Sequence, residues 1–287
     1  TTEEMGYVPN LLARGLKTRR THTLGLISHG VASVPFAGRM LEGVQTAAWE
    51  GGYLAMLIDT TNRSELADLA AKSLLQRDVE ALIVAAEYHR AVKTPVVPPG
   101  MPLALLDGIS DDDGIAADSV VPDEEGGAHA AVRHLLEHGH RRIGFCTVDD
   151  DGYIAAGLRL AGYRRALAEY GVVEDPALIV RAPGPSTASA LPIIDGLLSR
   201  PDRPTALFCF SDQLAFAAYE VAARLGLVIP DELSIVGFDD QRFIADALRP
   251  GLTTVRLPHH DLGAWAAKRV IDRVHGDETG APQTQKI

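Results

Sequence analysis

From Thr23 onward the chain alternates short, nearly continuous apolar runs with longer stretches whose apolar residues recur every three or four positions. THTLGLIS reads as a strand and FAGRMLEGVQTAAWEGG as an amphipathic helix with a Gly-Gly stop. YLAMLID is a second strand, and ELADLAAKSLLQR, capped by Ser64, a second helix. VEALIVAA and PLALLD follow as strands, with DSVVPD as a short fifth. Strands and helices alternating at this spacing predict βαβ units around a parallel sheet. The unbroken apolar strands agree, because parallel strands are covered on both faces.

The pattern then restarts. EEGGAHAAVRHLLEHGH, IAAGLRLAGYRRALAEYG, TASALPIIDGLLSR and SDQLAFAAYEVAARLG read as helices, interleaved with the strands RRIGFCTV, ALIV, TALFCF and LSIVGFDD. There is no sequence repeat, yet the architecture is written twice. Two similar Rossmann-like α/β lobes with parallel sheets are expected, meeting near Val121–Asp123. LTTVRLPHHDLGAWAAKRVIDRVHG adds another strand and helix, which would complete the first lobe. The expected division is residues 21–122 plus about 252–280 for one lobe and 123–251 for the other, with 1–20 apart.

Composition narrows the class. A length of 287 residues suits about two domains, and 46% hydrophobic with 23% charged residues is ordinary globular material. No apolar run approaches the roughly 18 residues of a membrane span, and no secretory signal opens the chain. Starting at Thr1 rather than Met is expected of a fragment or a processed product. The two cysteines, Cys146 and Cys209, sit in apolar strands and read as buried thiols in a reducing, cytoplasmic setting. A net charge of −11 argues against the body binding nucleic acid, but Met5 to Arg20 carries no acid and holds Arg14, Lys17, Arg19 and Arg20. A basic arm on an acidic body marks either a nucleic-acid contact or a solvated terminus.

Parallel α/β sheets bind ligands beyond the carboxyl ends of their strands. The polar residues there are Ser28, His29, Asp59, Asp107, Asp149, Ser211, Asp212, Asp239 and Asp240. Carboxylates accept from sugar hydroxyls, Arg donates, and an aromatic covers an apolar ring face, so the set suits a neutral, hydroxyl-rich ligand. Each residue also has an ordinary reading. Ser211 or Asp212 would cap the helix that follows. Asp107, Asp239 and Asp240 would be turn residues. Arg159 would face solvent and Phe36 the core. Singly the ordinary reading is favoured; their shared placement lifts the set. GxSxG, P-loop, HExxH and strand-linked GxGxxG patterns are absent, so no enzyme, cofactor or metal site is expected. His134, His138 and His140 read as a helix end with a Gly stop.

These residues resemble the LacI/GalR family of bacterial repressors over nearly the full length. The resemblance is carried by GYVPNLLARGLKTRRTHTLGLIS, VPF, HLLEHGHRRIGF, RLAGYRRAL, SDQLAFAAYEVAARLGLVIPDELSIVGFDD and LTTVRLPHHDLG, in family order. It implies a two-lobed core like the type I periplasmic binding proteins, a homodimer, and a small sugar-like effector between the lobes. GYVPN looks like the tail of a helix-turn-helix head and NLLARGLKT like a hinge helix. In such a hinge Leu16 would wedge a base step while Arg14 and Lys17 meet phosphates. Gly15, where relatives often have Ser, should weaken that helix. Operator binding is expected only of the full-length protein, with its recognition helix. By the same resemblance Phe36 packs on the effector, Asp107 takes its polar groups in some members, Arg159 grips it and Asp239 binds its hydroxyls. Ser211 stands where many members have Asn. The C-terminal QTQKI is expected to stop short of the family's final strand.

The implied function is a DNA-binding transcriptional repressor regulated by that effector. The rival is a solute-binding protein of a transport system, against which the basic arm speaks. A sugar-processing or nucleotide-dependent enzyme is a second rival, disfavoured by the missing motifs.

Overall fold

The computed structural model describes residues 20–30, 37–61, 63–112, 117–149 and 152–287. Arg14, Leu16, Lys17 and Phe36 therefore lie outside the described residues. In chain order the elements begin β1 (Thr23–Ser28), α1 (Ala37–Glu50), β2 (Leu54–Asp59), α2 (Ala67–Leu75), β3 (Ala81–Val92), β4 (Leu103–Ser110) and β5 (Asp118–Val121). They continue α3 (Glu124–Glu137), β6 (Ile143–Val148), α4 (Ile154–Glu169), β7 (Ile179–Ala182), α5 (Thr187–Leu198), β8 (Ala206–Cys209) and α6 (Asp212–Leu225). The last are β9 (Ser234–Phe238), α7 (Arg242–Ala245), β10 (Thr253–Val255), α8 (His259–His275) and β11 (Thr284–Lys286). No helix among the described residues is long and apolar enough to cross a membrane.

The chain divides into two compact units. The first holds a six-stranded sheet in the order β11-β5-β4-β3-β1-β2, with β1 parallel to both β2 and β3, and β4 parallel to β5. Ile27, Leu82, Val84 and Leu105 from its strands pack with Leu74 of α2 in a core that excludes water. Edge strand β2 departs from expectation. Its apolar run reads as covered on both faces, yet Leu54, Met56 and Leu57 are exposed, as is Trp49 at the end of α1. Periodicity reports what a strand carries, not which neighbour covers it.

The second unit holds a five-stranded sheet, β10-β9-β8-β6-β7, parallel throughout. Its central strands β6 and β8 are wholly buried, including Cys146 and Cys209, which are free thiols. Asp123 caps α3 by accepting from the Gly126 amide. At the other end His138 closes the helix and Gly139 takes φ +90°, the helix-stop geometry expected of HLLEHGH. Gly162 lets α4 approach α3: a β-carbon there would overlap the Glu125 carbonyl and crowd the His129 amide.

Two boundaries differ from the sequence reading. The sequence pattern puts LTTV with α8 in the first lobe, but β10 joins the second unit's sheet. Thr253, Thr254 and Val255 pair with Val236, Gly237 and Phe238, so the chain leaves this unit only after Pro258. Tyr88–Ala91, at the end of β3, also group with the second unit. At the C-terminus, where no strand was expected, Thr284–Lys286 form β11 beside β5.

Candidate functional site

The second unit gathers polar residues at the carboxyl ends of β8 and β9. Arg159, one and a half turns into α4, is fully buried. Its Nε donates to Glu124 Oε2 at 2.6 Å and its Nη2 to Glu124 Oε1 at 3.1 Å, a two-pronged pair with the first residue of α3. Nη2 also reaches Asp239 Oδ1 at 3.5 Å, and Nη1 donates to the Phe210 carbonyl. Phe210 and Phe238 lie over the guanidinium at 4.3 and 3.9 Å from their ring centroids. Burial alone would lower the Arg159 pKa, but the charges of Glu124 and Asp239 outweigh it and hold it above the usual value.

Asp239 follows β9 with φ +105°, a region few side chains adopt, and is buried. Burial pushes its carboxyl well above the usual range; the charges of Asp212 and Glu124 add to this, and Arg159 opposes it. Asp240, next in the chain, turns outward and pairs with exposed Arg256 at 2.6 Å. The two aspartates of FDD thus separate into an inner and an outer one.

Asp212 fixes this turn. Its Oδ2 accepts from the Gln241 amide and its Oδ1 from the Thr254 hydroxyl, each at 2.6 Å. Gly237 must lack a β-carbon because Asp212 Oδ1 occupies that space. Burial raises the Asp212 pKa to about 7, against the hydrogen bonds that lower it. Ser211 is the cap of α6, its Oγ accepting from the Leu214 amide at 3.5 Å, so the helix-cap reading holds for this residue.

Of the residues singled out in sequence, Arg159 and Asp239 therefore meet, and Ser211 lies next to Phe210. Asp107 belongs to the first unit and is buried with φ +57° within β4, which runs three residues beyond it to Ser110. In that unit Ser28 donates to Asp59 at 2.6 Å, and His29 shares a 2.8 Å bond with Thr60. Sequence reasoning missed Glu124, Gln241, Phe210 and His89. Glu124 and Glu125 are indistinguishable as acids in a first helical turn, yet Glu125 pairs at the surface with Arg165 whereas Glu124 is buried. His89 lies inside β3, two residues beyond the Glu87 that breaks its apolar run, so the strand-end rule did not reach it. Burial lowers its pKa, with Glu124 and Arg159 acting on it in opposite directions.

The chain is similar to known proteins over most of its length. The profile of the periplasmic binding protein-like domain matches residues 132–287. The ribose operon repressor of Haemophilus influenzae is 30% identical over 271 residues, 94% of this chain and 80% of that protein. A crystal structure of a LacI-family transcriptional regulator from Rhizobium etli superposes with a TM-score of 0.80 at 31% identity, covering 93% of this chain and 96% of that one. The chain belongs to the LacI family. Another structure, the transcriptional regulator CelR bound to cellobiose, has a TM-score of 0.78 at 26% identity and covers 100% of this chain and 85% of that one.

Proposed function

We propose that this chain is the effector-sensing core of a DNA-binding transcriptional repressor that answers to a sugar or sugar derivative. The observation that carries the reading is the meeting of Arg159 and Asp239 at the carboxyl ends of parallel strands in a LacI-family chain. A guanidinium and a carboxylate fixed side by side can donate to and accept from vicinal hydroxyls. The ribose operon repressor and the cellobiose complex among its relatives favour the same ligand class.

Arg159, Asp239 and Ser211 would contact the effector, and the family resemblance gives Asp107 and Phe36 the same role. Arg14, Leu16 and Lys17 would serve the hinge that meets operator DNA in the full-length protein. The protein would act in the cytoplasm as a homodimer and catalyse no reaction. The apolar edge formed by Trp49, Leu54, Met56 and Leu57 supports dimerisation, because an exposed strand edge of this kind calls for a covering partner. An effector shifts such a regulator only through its different affinity for two states.

Titration of the full-length protein onto DNA flanking its own gene, with and without a sugar panel, tests the function. A sugar that binds the core should change DNA affinity. Recovery of the protein from the periplasm on cell fractionation, or turnover of the sugar, would end the repressor reading.

A further inference from the structure

The C-terminal end of α3 carries two imidazoles that the proposed effector site does not use. His134 and His138 are four residues apart and so share one face of the helix, the spacing by which paired histidines hold a metal in the HExxH and HxxEH patterns. Both are exposed, and their ring centroids lie 4.4 Å apart. His138 Nδ1 donates to the His134 carbonyl at 2.8 Å. That bond fixes the ring and, in the neutral imidazole, leaves the Nε2 lone pair for a ligand; backbone carbonyls orient metal-bound histidines in the same way. The ring separation selects a geometry. A metal about 2.1 Å from each ligating nitrogen, on both ring axes, lies about 3.2 Å from each ring centre. Centres 4.4 Å apart then subtend about 90°, whereas a tetrahedral angle would need about 5.2 Å. A right angle between nitrogens belongs to the square-planar and tetragonal coordination of copper(II) and nickel(II).

We propose that His134 and His138 form a two-nitrogen site for a divalent transition metal of the copper(II) type at the closing turn of α3. No group of three or more His, Cys, Asp or Glu side chains able to hold a metal occurs among the described residues, so water completes the coordination. A cavity of about 220 Å³, lined by both histidines with His140, Tyr219, Pro230 and Pro250, gives it room. His140 stays out of the ligand set because its ring nitrogens bond the hydroxyls of Thr205 and Ser234, each at 3.0 Å. Glu137 turns instead to Arg133 and Tyr170. The carbonyls at the C-terminal end of a helix add partial negative charge that favours a cation. Glu124, at the Arg159 cluster, begins the same helix about 20 Å away along its axis, so the two sites are separate.

Calorimetric titration of Cu²⁺ into the untagged chain, in a weakly chelating buffer, tests the site. Copper should bind with an affinity that His134→Gln and His138→Gln each reduce at least about tenfold, because each removes one arm of a chelate. Zn²⁺ should bind more weakly than Cu²⁺. His129→Gln, on the same helix but paired with Glu169 at 2.6 Å, should leave copper binding as it is. Affinity that either His134→Gln or His138→Gln leaves unchanged would overturn the proposal, as would zinc binding as tightly as copper. Should a variant fail to fold, the electron paramagnetic resonance spectrum of the parent's copper complex decides. Nitrogen coupling from two imidazoles supports the site; coupling from one or none refutes it.

Discussion

Each unit buries an aspartate against arginine, and the two do so with opposite balance. In the first, Asp118 at the start of β5 meets two guanidiniums of α8. Arg273 grips it through Nε and, at 3.0 Å, Nη2, while Arg269 lies 3.1 Å away; the Gln283 amide adds a fourth contact. Burial alone would raise the Asp118 pKa, but these partners together hold it below the usual range. In the second, Asp239 shares one guanidinium with Glu124, stands near Asp212, and is pushed upward. A carboxylate outnumbered by cations is satisfied from within and ties α8 to β5 and the chain end. Carboxylates that outnumber their cation are held at a cost to the fold, a balance consistent with the effector site proposed above.

The largest effect should come from Glu124→Ala. It would leave the Arg159 guanidinium buried with little compensation, at about 3–5 kcal/mol in a urea titration. A loss below about 1 kcal/mol would mean that the helix ends part and let water in. Asp118→Asn should cost less, about 1–3 kcal/mol, because Arg269 and Arg273 both reach solvent. Hydrogen exchange should show residues near Gln283 and β11 losing protection, and unchanged protection there would break the comparison.

The fold was largely legible in the chain because each parallel strand is an uninterrupted apolar run and each helix has a readable stop. What lay hidden were questions of partner. Nothing in LTTV says whether it extends the sheet ending in Phe238 or a different one. Nothing in YLAMLID says that its strand lies at an edge. In the candidate site, Arg159 and Asp239 were visible through the family pattern and the strand-end rule. Glu124 was not, because only the fold decides which of two adjacent acids faces inward. Gln241 was hidden likewise, since its relevance comes from the turn that Asp212 pins.

The comparison also fixes the sign of two pH effects. Asp212, raised to about 7 from 3.8, keeps its proton in the folded chain where the unfolded chain has lost it. Stability should therefore fall as pH rises from about 4 to about 7, by up to about 4 kcal/mol from this group, and Asp212→Asn should flatten that slope. Asp118 works the other way. Its contribution is present above the ordinary aspartate pKa and is lost as the pH falls through its depressed value. Stability of the two variants measured across pH 2–8 separates the contributions; parallel curves would refute the assigned balance. At the bottom of the scale, removing the exposed Arg164–Glu174 pair by Arg164→Ala should cost less than about 1 kcal/mol.

The most direct measurement is calorimetric titration of whichever sugar raises the melting temperature of the parent chain, repeated on Asp239→Ala and Arg159→Ala. The expected result is affinity weakened by about 1.5–3 kcal/mol in the first variant and abolished in the second, with both chains still folded. Unchanged affinity in both would remove the pair from the site and contradict the account.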